Sequence, residues 1–131
     1  MNANETFTEL YAVLNPEQMK ACKESQFRNI QVETPAQQYM FLKLNRDHAE
    51  RIAQEWTAKH YGAGYVVRIN VSEAYLERCE RMSIAYAEHE EYRVCASELS
   101  SLHWYMGGRV SVMTVYWDPK YRKIDEIVSF G

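Results

Sequence analysis

The stretch Gly62-Ala63-Gly64-Tyr65-Val66-Val67-Arg68-Ile69-Asn70-Val71-Ser72 decides the fold. From Tyr65 to Val71 it is rich in β-branched residues. It sets Val67, Ile69 and Val71 against Arg68 and Asn70, the period-two alternation of a strand with one buried face. Upstream, Gly62-Ala63-Gly64 ends a helix that Asn45 caps. On that helix Ala49, Ile52, Ala53, Trp56 and His60 share one stripe, while Arg46, Glu50, Gln54 and Lys59 lie mostly elsewhere. Downstream, Ser72 caps a short helix reaching about Cys79.

Working outward, Phe7 to Leu14 reads as a strand stopped by Asn15-Pro16, a side-chain cap followed by proline at the first helical position. The helix it opens runs to about Glu24, with Met19 and Cys22 on one face. Extended segments are expected at Phe27–Glu33 and Tyr39–Leu44, separated by the turn-prone Thr34-Pro35. In the C-terminal half, a less regular stretch leads into a short strand at Glu91–Val94. A helix then opens near Ser97, with Leu99, Leu102, His103 and Met106 at core spacing. Gly107-Gly108 releases the chain into Arg109–Trp117, the longest strand candidate, and Ile124 to Phe130 adds an edge strand. Strands outnumber helices, and several consecutive ones lack a helix long enough for a parallel crossover. The pattern predicts one α+β domain over residues 1–131, with a mostly antiparallel or mixed sheet and helices packed against it.

Composition bounds the function. A chain of 131 residues suits one domain, and 47% hydrophobic with 25% charged residues is ordinary for a globular core. Ten Tyr, four Phe and three Trp supply large amphipathic side chains for that core and its rim. The net charge of −3 gives no general attraction for phosphate backbones. The one dense basic stretch, Lys120-Tyr121-Arg122-Lys123, is offset by Asp125 and Glu126, so no nucleic-acid partner is expected. Cys22, Cys79 and Cys95 are odd in number and free of CxxC spacing, which suits small buried thiols in a reducing compartment. With no basic start and apolar run at Met1–Thr6, and no apolar stretch near the roughly 20 residues a membrane helix needs, the expected location is cytoplasmic and away from membranes. His48, His60, His89 and His103 form no compact ligand spacing, so no metal is expected, and His60 and His103 read as partly buried structural residues. No P-loop, dinucleotide GxGxxG or nucleophile-elbow GxSxG is present.

Glu88-His89-Glu90-Glu91 is the densest titratable cluster. Crowded like charges raise one another's pKa, which prepares an acid or base near neutral pH. On spacing alone the cluster also reads as a solvated loop. Glu91 stands out because it opens the alternating segment Glu91-Tyr92-Arg93-Val94 where the chain enters the sheet.

That segment, with others, resembles the small ADP-ribosyltransferase superfamily, in which a catalytic glutamate precedes a short apolar strand ending near a proline. Glu91-Tyr92-Arg93-Val94-Cys95 has that spacing, with Cys95 where proline is usual, and Gly108-Arg109-Val110-Ser111-Val112 resembles the strand that follows. Tyr39-Met40-Phe41-Leu42 and His48-Ala49-Glu50-Arg51-Ile52-Ala53 resemble the family's aromatic strand and alanine-flanked helix. Leu10-Tyr11 resembles its opening strand. The likeness spans about Leu10 to Val115 in short motifs, and implies an ADP-ribosyltransferase-like fold of mixed, mostly antiparallel sheets with short helices packed against them.

The resemblance further implies NAD as a substrate. Glu91 would be the catalytic residue, stabilising positive charge on the ribose as the nicotinamide bond breaks. Phe41 would pack on the nicotinamide, with Tyr11, Tyr39, Tyr92 and His89 as its companions in binding. The chain departs from the family pattern at Ala12, where Arg or His usually holds the dinucleotide, and at Ile52, where a second aromatic is common. Arg68, Arg93 or Arg109 are candidate replacements for the missing donor. Three roles stay open: an NAD-dependent transferase or glycohydrolase, a module on the same fold that binds a nucleotide, another small molecule or a protein, and an oligomer built through the edge strand near Ile127.

Overall fold

The computed structural model describes residues 5–82 and 90–121. The first strand, β1 (Phe7–Leu14), buries Leu10, Ala12 and Leu14 and turns Glu9, Tyr11 and Val13 the other way. It stops at Asn15 because that side chain accepts a hydrogen bond from the Gln18 amide at 2.8 Å, while the Gln18 side chain accepts one from the Asn15 amide at 2.8 Å. This reciprocal cap, with Pro16 behind it, opens α1 (Pro16–Glu24).

Five further strands join β1: β2 (Tyr39–Lys43), β3 (Ala63–Ser72), β4 (Glu80–Met82), β5 (Glu91–Cys95) and β6 (Ser111–Trp117). Together they form one six-stranded sheet in the order β4-β5-β2-β1-β3-β6. All described pairings are antiparallel. The fold is therefore α+β, as the scarcity of crossover helices predicts. The pairing is uneven. β1 and β3 are in register from Phe7↔Ser72 to Leu14↔Tyr65, and β2 and β5 from Tyr39↔Cys95 to Lys43↔Glu91. Between β1 and β2 the register has one pair, Tyr11↔Lys43. The sheet thus consists of two halves, β4-β5-β2 and β1-β3-β6, joined at a single point.

One face carries the main core. Leu10, Leu14, Leu42, Ile69 and Val94 pack there with Met19 and Cys22 of α1, with Tyr75 and Leu76 of α4 (Glu73–Leu76), and with Leu102 of α5 (Leu99–Trp104). The other face carries a smaller cluster of Ala49, Ala53 and Val66, flanked by Tyr11, Val13, Met113 and Tyr116. Its helix runs as α2 (Arg46–Ile52), a π-helical turn (Ala53–Thr57) and α3 (Ala58–Tyr61), and lies over β1, β3 and β6. Gly64 makes this approach possible: a Cβ there would stand 2.5 Å from the Ala53 carbonyl oxygen. Glu50 ties the helix to β6, accepting hydrogen bonds from Thr114 Oγ1 at 2.6 Å and Tyr116 Oη at 3.3 Å.

Several expectations are corrected. Phe27–Glu33 is not a strand, because side chains take its backbone groups. Gln18 Nε2 donates to the Gln31 carbonyl at 2.6 Å, Asn15 Nδ2 to the Glu33 carbonyl at 3.3 Å, and the Ile30 amide donates to His103 Nε2 at 3.0 Å. Glu80–Met82, in a stretch read as irregular, is a strand paired with β5. The π-helical turn shifts the helix face by one residue, so Thr57 and Ala58 are buried while Trp56 is 52% exposed and His60 is exposed with it. Cys95 is exposed, since the alternation of β5 turns it away from the main core. The strand expected from Arg109 begins at Ser111. The expected edge strand Ile124–Phe130 lies outside the described residues.

Candidate functional site

Residues directly opposite one another in an antiparallel sheet share a face. The registers Glu91↔Lys43, Lys43↔Tyr11 and Tyr11↔Arg68 therefore set four side chains in one row across β5, β2, β1 and β3. This row crosses the single point where the two half-sheets meet. Glu91 is 5% exposed, and its Oε1 lies 3.8 Å from Lys43 Nζ. A buried carboxylate needs a counter-charge, since desolvation alone would cost several kcal/mol per ion by a rough reckoning. Lys43 supplies it. Burial pushes the Lys43 ammonium below its ordinary pKa, while the carboxylates of Glu91 and then Glu33 pull it back. Lys43 Nζ also lies 5.6 Å from the centre of the Phe41 ring.

Next along the same face, Phe41 stands opposite Arg93, and Tyr39 opposite Cys95. The Tyr39 and Phe41 rings lie 6.4 Å apart, and the Arg93 guanidinium sits 4.2 Å from the centre of Tyr39. Arg93 also pairs with Glu80 across β4. At the other end of the row, Arg68 Nη1 lies 3.8 Å from Glu9 Oε1. Its Nε is buried and has no hydrogen-bond partner among the described residues.

Of the residues singled out from the sequence, Glu91, Tyr11, Phe41 and Tyr39 share this face. Tyr92 does not: it stands opposite Leu42, packs against the main core, and has the Arg81 guanidinium 5.8 Å from its ring centre. His89 and Glu88 lie outside the described residues, and Glu90 pairs with Arg81. Ala12 is fully buried in the main core opposite Val67, so this position points away from the Glu91 face. Ile52 is half-buried on α2, and Trp56 stacks on His60 with ring centres 3.8 Å apart. Of the three candidate donors, Arg68 is in the row, Arg93 is beside it and already paired, and Arg109 is exposed in the loop before β6. Lys43 is the participant that sequence reasoning missed. The alternation Tyr39, Phe41, Lys43 placed it on the aromatic face, but nothing in the sequence said that β2 pairs with β5.

Comparison of the chain with protein-family models, curated proteins and solved structures finds no match. No cluster of three or more His, Cys, Asp or Glu suitable for a metal is found among the described residues. No described helix is long and apolar enough to cross a membrane. What the row offers is a buried carboxylate beside a cation, aromatic faces to one side and an arginine across the junction.

Proposed function

We propose that the Glu91 face binds NAD as a substrate, and that the protein transfers ADP-ribose from it or hydrolyses it. The observation that carries this reading is the placement of Glu91: a carboxylate 5% exposed, in register with Lys43, Tyr11 and Arg68 where the two half-sheets join. When the bond between nicotinamide and ribose breaks, nicotinamide leaves with the bonding electron pair and the sugar becomes cationic. A carboxylate held in a low-dielectric site stabilises that cation, a contribution of about 3 kcal/mol for one well-placed group. Water or an acceptor side chain then attacks the anomeric carbon and gives up its proton to solvent. Phe41 and Tyr39 provide ring faces for the nicotinamide, and Arg68 provides donors for the dinucleotide in place of the absent charge at Ala12. The resemblance of Glu91–Cys95 and Tyr39–Leu42 to the ADP-ribosyltransferase motifs supports the same assignment. The test is nicotinamide release from NAD by the wild type and by Glu91→Gln. Release that stops in the variant supports the reading, and equal release removes Glu91 from the mechanism.

One observation favours a second reading, a module that binds a nucleotide or protein without chemistry. Lys43 Nζ is 3.8 Å from the Glu91 carboxylate. A cation so placed opposes positive charge developing on a sugar and competes for the carboxylate. Under this reading NAD or ADP-ribose raises the melting temperature, because a ligand that prefers the native state stabilises it, while nicotinamide release stays at background.

A further inference from the structure

A second candidate site lies at the far end of β5. β4 pairs with β5 only from Glu80↔Arg93 to Met82↔Glu91, so the edge of β5 at Val94 and Cys95 is left without a strand partner among the described residues. There a cavity of about 530 Å³ opens between the sheet edge, α4 and α5. Glu91 is not among its lining residues, and Tyr39 and Arg93 are shared with the Glu91 face.

Two aromatic–guanidinium stacks line this cavity. Tyr75 and Tyr105 lie nearly parallel with ring centres 5.0 Å apart, and the Arg78 guanidinium carbon is 5.2 Å from each centre. Arg93 stands 4.2 Å from the centre of Tyr39 and is neutralised by Glu80. Arg78 differs: no carboxylate of the described residues lies within ion-pair distance of it. A guanidinium held beside aromatic rings still carries its planar fork of N–H donors, which can receive a phosphate or carboxylate through two parallel hydrogen bonds. Glu98 and Ser101 add polar atoms to the lining, suited to N–H donors of a heterocycle.

We propose that this cavity binds a planar aromatic anion of mononucleotide size. The ring lies against the half-buried Tyr39 and Tyr105 and the phosphate or carboxylate takes the N–H groups of Arg78. The volume falls within the range of small-molecule sites. A wholly apolar ligand would leave the Arg78 guanidinium without an anion, and a bare inorganic anion would leave the Tyr39 and Tyr105 rings unused. The proposal does not rest on the role given to Glu91.

The experiment is calorimetric titration of the full chain with AMP, GMP and salicylate, and with ribose 5-phosphate as a probe without a ring. At least one ring-bearing anion should bind saturably, and ribose 5-phosphate should bind at least about tenfold more weakly. Arg78→Gln should weaken the ring-bearing anion by about tenfold or more, the loss expected for a charge-assisted hydrogen bond. Arg78 is exposed, so the variant should fold, which circular dichroism checks. Arg78→Lys, which keeps the charge but loses the planar fork, should fall between the two and serves if the glutamine variant fails to fold. This binding is read by calorimetry and by the Arg78 variants, and the NAD reading by nicotinamide release, so failure of one is separable from failure of the other. Absence of saturable binding by all three ring-bearing probes overturns the proposal. So does equal binding by Arg78→Gln, or ribose 5-phosphate binding as tightly as the best of them.

Discussion

Lys43 and Glu91 stand opposite each other on β2 and β5, Glu91 buried and Lys43 nearly so, with Nζ 3.8 Å from Oε1. Lys43 is also paired with Tyr11, the one registered pair between β2 and β1 among the described residues. An ion pair at such a junction is costly to make and more costly to break, because removing one partner leaves the other buried without compensation.

The first prediction follows from that asymmetry. Glu91→Gln should destabilise the fold by about 3 kcal/mol, since Lys43 keeps its charge and loses its partner. The double variant Lys43→Met, Glu91→Gln removes both charges and should regain most of the loss. Urea denaturation of the four proteins of the cycle measures the coupling. Additive effects would show that the two residues do not interact.

Gly64 is the contact point between helix and sheet on the second face. A Cβ there would lie 2.5 Å from the Ala53 carbonyl oxygen, a backbone atom that cannot swing aside. Gly64→Ala should therefore cost about 1–3 kcal/mol by overpacking. Gly107→Ala meets the Phe7 ring at 2.8 Å, a side chain able to move, and should cost less. Thermal melts of the two variants give the order, and a reversed order would contradict the packing described.

His103 gives a pH dependence. Its pKa is lowered by burial, partly offset by the Ile30 carbonyl. The folded value lies below the ordinary 6.5, so on acidification the unfolded chain takes the proton first. The stabilisation is therefore complete above pH about 6.5 and is lost as pH falls from there through the lowered folded value. The stability of wild type minus that of His103→Gln should rise with pH across this window, by at most about 1.4 kcal/mol per unit for one proton. A flat difference would show that His103 does not titrate differently on folding.

The strands legible in the sequence were those whose alternation is strong. Val67, Ile69 and Val71 announce β3, and Asn15-Pro16 fixes the end of β1. Phe27–Glu33 is without a strand partner, because its carbonyls and amides bond to Gln18, Asn15 and His103, partners distant in sequence or in another element. Trp56 misled because an ideal helical period does not foresee the π-helical turn Ala53–Thr57. At the candidate site, Glu91 and Phe41 were legible as residues of one chemistry. That Lys43 pairs with Glu91 depends on strand order, which period and composition do not encode. Tyr92 was grouped with Glu91 by adjacency, yet adjacent residues of a strand face opposite ways.

The role assigned to Glu91 is tested most directly by nicotinamide release from NAD, followed chromatographically. It should be measured for the wild type, Glu91→Gln, and the charge-free pair Lys43→Met, Glu91→Gln, whose recovered stability separates chemistry from folding. The account predicts release by the wild type and loss of at least about a hundredfold in both variants, the scale on which removal of one transition-state stabilising group acts. Release by the refolded double variant at the wild-type rate would contradict it.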